Sequence, residues 1–190
     1  MRVESRSEQN ITWYLKPFFW NQRRKYGKAL DAALLWARSP RLFLGVATLY
    51  GMIDRRSSPI EPALRSLVTV RVSQLNGCEF CVDLNSATLL RRGASFEKVT
   101  ALNRWHESSL FDSRERSALA YAEAMTLSGA GVEQVHISAL REHFADDAIV
   151  ELTGVIAFQN LSAKFNAALA VPAQGFCVSP NPPAAENSPR

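Results

Sequence analysis

Apolar residues recur along most of this chain at intervals of three and four, the period of a helix face, and rarely in the alternation of a half-buried strand. From Asn21 to Trp36 the positions Tyr26, Leu30, Ala33 and Leu34 keep that period, and Ser39-Pro40 ends the run. A second helix is predicted from about Pro40 to Ile53, followed by a polar connection from Asp54 to Pro59. Pro62 then suits the first turn of a helix, on which Leu64, Leu67, Val68, Val72 and Leu75 hold one face as far as Asn76. Val68-Thr69-Val70 is β-branched enough for a strand. The run is nevertheless too long for one and lacks alternation, so a helix is predicted.

Cys78 to Arg92 reads as the next helix, with Gly93 as its stop. Phe96 to Leu102 is a short helix, and Asn103 to Ser109 around Trp105 is polar. Asp112-Ser113 with Glu115-Arg116 carries a capping signature for a helix to about Leu127. After a flexible turn at Ser128 to Gly131, a helix from Val132 to Phe144 precedes a long apolar one from Ala148 to about Ala170, which Asp146 can cap and Val171-Pro172 stops. The prediction is an all-α domain of seven or eight helices over residues 21–177. Residues 1–20 form an aromatic-rich arm, extended around Pro17, that docks on its own core or on another subunit. Residues 178–190 hold four prolines and no large apolar residue beyond Val178, and are predicted to be disordered.

Composition adds boundaries rather than a function. With 190 residues, 47% hydrophobic and 21% charged, the chain can bury a core without disulfide staples. Its net charge of +4 is uneven, because residues 1–59 carry eleven Lys/Arg against four Asp/Glu. Arg23, Arg24, Lys25 and Lys28 lie beside Trp20 and Tyr26, but no nucleic-acid motif accompanies them, so they read as a solvated face or one that meets an acidic neighbouring subunit. The apolar run Leu42 to Ile53 is far short of the ~20 residues that span a bilayer, and Glu4 and Glu8 break the order of a signal peptide. Neither nucleic acid nor membrane is an expected partner. Three cysteines with one close pair fit a reducing compartment, so a cytoplasmic location is predicted.

That pair, Cys78-Glu79-Phe80-Cys81, is the strongest candidate for chemistry. At a helix start the sulfurs fall one turn apart, near enough to bridge, and unpaired N–H groups there favour thiolate over thiol. Structural zinc would need a second ligand pair, which is missing, so no metal is predicted. Two inert buried cysteines are the alternative. Glu133-x-x-His136 has no second copy for a di-iron site and reads as a surface helix, with His143 near a helix end and His106 in a loop beside Trp105. Gln159, Asn160 and Asn166 interrupt the long apolar helix and either fix helix contacts or line a cavity near the cysteines.

Three stretches, RVSQLNGCEFC, RERSALAYAEAMT and AIVELTGVIAFQNLSAKFNAAL, resemble the carboxymuconolactone decarboxylase and AhpD-like alkylhydroperoxidase family, over about Ser66 to Ala170. The resemblance implies an AhpD-like all-helical fold that forms homo-oligomers: dimers, trimers or hexamers. It implies a thiol redox protein, a weak peroxidase with Cys81 as the peroxidatic and Cys78 as the resolving cysteine, served by a thiol or disulfide reductant and no cofactor. The expected substrate is a peroxide or small hydrophobic molecule. The family's glutamate and histidine proton relay falls on Ser66 and Asn85, neither of which is a base near neutral pH. The decarboxylase branch lacks the cysteine pair, so lactone decarboxylation is not expected. The alternative is a non-catalytic binding or scaffold protein that kept the fold.

Overall fold

The computed structural model describes residues 1–129 and 131–177, so the predicted tail at 178–190 lies outside the described residues. The described residues hold nine α-helices, with short 3-10 stretches and no strands. They are α1 (Lys16–Tyr26), α2 (Asp31–Trp36), α3 (Pro40–Ile53), α4 (Pro62–Leu75), α5 (Glu79–Arg91), α6 (Phe96–Ala101), α7 (Ser113–Thr126), α8 (Gln134–Arg141) and α9 (Asp146–Ala168).

The expected single helix from Asn21 to Trp36 is two. Gly27 adopts φ 77° and closes α1 with its N–H on the Arg23 carbonyl at 2.8 Å, a left-handed step that glycine makes at little cost. The Leu30 N–H then goes to Gln22 Oε1 at 2.9 Å, so the break is satisfied by a side chain. This split raises the count from the predicted seven or eight to nine. The arm is likewise less extended than expected, since α1 already begins at Lys16, with Pro17 in its first turn. Ile11, Leu15 and Phe19 bury themselves on the chain's own core, while Trp13 and Trp20 stay exposed. Ala145, not Asp146, occupies the cap position of α9; Asp146 lies in the first turn and pairs with Arg141.

Helix α4 is the hub and packs against α5, α7 and α9. Leu64, Leu67, Val68, Val70 and Val72 are all buried, so α4 is apolar on most sides and has no solvent face to enforce a clean period. Trp105 and Leu102, in the 3-10 stretch Leu102–Glu107, join the same core. A second core holds the arm, α1 to α3, Cys78, Phe80 and Cys81. The buried residues of α9 recur at three and four: Ala148, Ile149, Leu152, Val155, Ile156, then Gln159, Ala163 and Asn166. The stripe is apolar where α9 meets the first core and carries amides toward the second. No helix among the described residues is long and apolar enough to cross a membrane.

Candidate functional site

Asn76-Gly77 turns the chain between α4 and α5. Gly77, at φ 61°, bonds the Gln74 carbonyl at 3.1 Å, and the Cys78 N–H bonds that of Ser73 at 3.1 Å, a paired closure that ends α4 and delivers Cys78 to the start of α5. Asn76 Nδ2 braces the turn by donating to the Val72 carbonyl and, at 2.9 Å, to Asn160 Oδ1 on α9. Cys78 is thereby the N-cap of α5, and its sulfur accepts the Cys81 N–H at 3.2 Å. The two cysteines are joined as a disulfide, with their Cα atoms 5.2 Å apart, inside the ordinary range for such a bridge.

Both cysteines are buried, but they face different spaces. Cys81 lines a cavity of about 240 Å³ between α1 to α3 on one side and α5 and α9 on the other. Tyr26, Trp36, Phe43, Tyr50, Phe80 and Phe158 give it aromatic walls, and the exposed Asn21 and Lys25 stand on α1 at its edge. Cys78 lines a shallow groove on another side, which it shares with Cys177. Across the cavity, Asn166 of α9 donates its amide N–H to Cys81 Sγ at 3.4 Å. Its own carbonyl oxygen is buried without a partner.

The two expected relay positions converge on a smaller space of about 40 Å³ that shares Tyr50, Asn85 and Gln159 with the main cavity. Ser66 is buried there, and its hydroxyl accepts Arg92 Nη1 at 2.9 Å. Arg92 also grips both oxygens of Asp54, at 2.7 and 2.8 Å, and the buried Arg65 approaches the same carboxylate at 3.3 Å. Asn85 gives its amide N–H to Ser73 Oγ at 3.1 Å. Neither position holds a titratable base. Glu79 is exposed, and the buried Asp83 is already engaged by three backbone N–H groups, from Gln174, Phe176 and Cys177, at 2.7–2.8 Å. Asp83 therefore anchors the segment that ends at Cys177. Burial first, and then the charge of Asp83, push the Cys177 thiol above the ordinary cysteine range.

The histidines lie elsewhere. His136 completes a reciprocal cap with Glu133 at the start of α8, and His106 stacks on Trp105 and meets Glu123 at 3.2 Å. Among the described residues no three His, Cys, Asp or Glu side chains gather as a metal site would require. Sequence reasoning missed Glu123, which accepts the Trp105 indole N–H and Arg71 Nε, both at 2.7 Å. Burial works against its charge, but those hydrogen bonds, the Arg71 charge and His106 outweigh it and hold its carboxyl below the ordinary glutamate range.

A buried cysteine pair on a helix start, facing an aromatic cavity in an all-helical chain, accords with what the comparisons find. Residues 40–124 match the carboxymuconolactone decarboxylase family. The uncharacterised protein YnjA of Escherichia coli K12 is 42% identical over 170 residues, which cover 90% of this chain and 93% of that one. The chain belongs to the carboxymuconolactone decarboxylase family. Among solved structures, a peroxidase-related protein of Ralstonia eutropha JMP134, described as an alkylhydroperoxidase AhpD core, superposes with a TM-score of 0.83 at 19% identity, covering 92% of this chain and 93% of that one. The debrominase Bmp8, in complex with 2,3,4-tribromopyrrole, superposes with a TM-score of 0.80 at 23% identity, covering 93% of each chain. Both likenesses place this family member in the AhpD-like fold.

Proposed function

We propose that this family member is a thiol redox protein in which Cys81 is the attacking and Cys78 the resolving cysteine. The observation that carries the reading is their placement: a bonded pair at the first turn of α5, with Cys81 alone of the two on the aromatic cavity. The N–H groups of that turn and the Asn166 amide both stabilise negative charge on sulfur. With a peroxide, the Cys81 thiolate attacks one oxygen and the O–O bond breaks. The alkoxide leaves and takes a proton as the alcohol, and a sulfenic acid remains. Cys78 then attacks that sulfur, water leaves, and the disulfide forms; a dithiol reductant returns two electrons and two protons. Without a base at Ser66 or Asn85 this peroxidase is slow, since general-base help is commonly worth about 10²–10⁴-fold.

Several observations support a small hydrophobic substrate: the aromatic walls, the enclosed volume, and the bromopyrrole in the Bmp8 complex. The proposed working form is a homo-oligomer. Leu42, Leu44, Leu49 and Met52 of α3 are each about half exposed or more, an apolar face that a second copy would cover. Intact-mass measurement of the reduced protein before and after peroxide tests the cycle. The expected result is loss of two hydrogen atoms in the wild type and none in Cys81→Ser; a wild type that loses none overturns it. In the scaffold reading, which the substitution of both relay positions favours, ligand binding is instead the same whether the thiols are free or alkylated.

A further inference from the structure

One serine on α4 decides what the cavity asks of its guest. Ser73 is fully buried and its hydroxyl donates to the Thr69 carbonyl at 2.6 Å, which uses its single hydrogen. The same oxygen is approached by Asn85 of α5 at 3.1 Å and by Gln159 of α9 at 3.0 Å. With no hydrogen left to give, Ser73 can only accept, so both amides must present their NH₂ groups to it. A flipped amide would set two oxygens against each other with no proton between them. The orientation of both side chains is therefore dictated by chemistry, although amide nitrogen and oxygen look alike by shape.

The consequence falls on the other end of each amide. Asn85 and Gln159 both line the main cavity, and neither carbonyl oxygen has a hydrogen-bond partner among the described residues. Gln159 is 5% exposed, so an unmatched acceptor on its side chain has little solvent to turn to and is costly. Asn166, 2% exposed on the same wall, repeats the pattern: its NH₂ donates to Cys81 and its carbonyl is unpaired. Further donors, the Gln22 amide and the Lys25 ammonium, stand opposite on α1. The wall built by α5 and α9 thus offers three unpaired carbonyl acceptors, beside the second N–H of each amide and framed by aromatic rings, in a volume below the roughly 300–1,000 Å³ of sites for drug-sized ligands.

We infer that the cavity binds a small, flat, neutral aromatic molecule that carries a hydrogen-bond donor on its ring or ring edge, read by the carbonyls of Asn85 and Gln159. This inference rests on the cavity being the substrate site of the thiol pair and specifies the class of molecule admitted there. Ring faces stack on the walls, which gives affinity for any flat apolar guest. The donor supplies selection, because a guest without one leaves buried acceptors unpaired.

Indole and benzofuran have nearly the same shape and differ in offering an N–H or an oxygen acceptor. Calorimetric titration of each into the full-length disulfide form, in which neither Cys78 nor Cys81 is a free thiol, is the test. Indole is expected to bind at least about tenfold more tightly. In Ser73→Ala the amides are free to turn, and the ratio is expected to fall toward one; Gln159→Leu, which removes one carbonyl without touching the serine, is expected to lower it as well. Equal binding of the two probes by the wild type, no binding of indole, or an undiminished ratio in both variants overturns the inference. Because no redox step enters this titration, a wild type that fails to cycle with peroxide but still discriminates would remove the redox reading alone. One that cycles without discriminating would remove only the substrate class.

Discussion

Asn166 shows how much a single side chain can govern here. It lies 85 residues from Cys81, and its amide N–H is the one side-chain donor on the Cys81 sulfur among the described residues. Hydrogen bonds to charged groups contribute about 1.5–3 kcal/mol. With reduced protein at neutral pH, Asn166→Ala is therefore expected to slow alkylation of Cys81 by about tenfold, measured by peptide mass spectrometry, with Cys177 as the unaffected internal standard. Cys177 itself answers to burial first and then to Asp83. Its raised pKa keeps it mostly thiol at pH 7, so its alkylation is expected to climb with pH through a range above the ordinary cysteine value. Asp83→Asn removes the charge and should bring that rise to lower pH. The same change turns an NH₂ group toward backbone N–H donors and should cost about 2–3 kcal/mol of stability in urea unfolding. Of these relations the sequence revealed the cysteine pair and its helix start, which are local. It could not reveal the contact between Asn166 and Cys81, or the role of Asp83, because each joins residues more than 80 positions apart.

At the scale of the helix, legibility followed local periodicity. α3 to α5, α7 and α9 were readable from apolar spacing and from Pro62, Gly77, Gly93 and Asp112 at their ends. The break between α1 and α2 was not, because Tyr26, Leu30, Ala33 and Leu34 keep a helical interval across Gly27, and only the left-handed turn and the Gln22 contact divide them. The amides of α9 were visible as interruptions of an apolar face. Which of them faced a cavity depended on where α4 and α5 pack, and no pattern within α9 carries that. The α7 end of the molecule offers an electrostatic test. Glu123 is held below the ordinary glutamate value, so its ionised form stabilises the fold above about pH 4.3, and this contribution is lost as pH falls through the lower folded value. Thermal unfolding of Glu123→Gln should lose less stability between pH 5 and 3 than the wild type, while being less stable at pH 7.

For the whole molecule, the open quantity is assembly. Leu42, Leu44, Leu49 and Met52 of α3 are exposed, on a helix whose only buried side chain is Phe43. Sedimentation of the wild type is expected to give a species larger than 21.1 kDa, and Leu44→Asp combined with Met52→Asp should shift it toward the monomer. A wild type that sediments as a monomer at all concentrations would rule out the homo-oligomer.

The walls of the cavity also have an evolutionary reading. The stretch that matches the family, residues 40–124, contains both bridging cysteines. Tyr26 and Trp36 precede that stretch, and Phe158, Gln159 and Asn166 follow it. Ser73, Asn85, Phe43, Tyr50 and Phe80 lie inside it, so the matched stretch and its flanks build the cavity together. A descendant that exchanged its two flanks around an unaltered centre would keep the bridge, Ser73 and Asn85, yet would retune Cys81 through the lost Asn166 contact at the same stroke as it reshaped the walls.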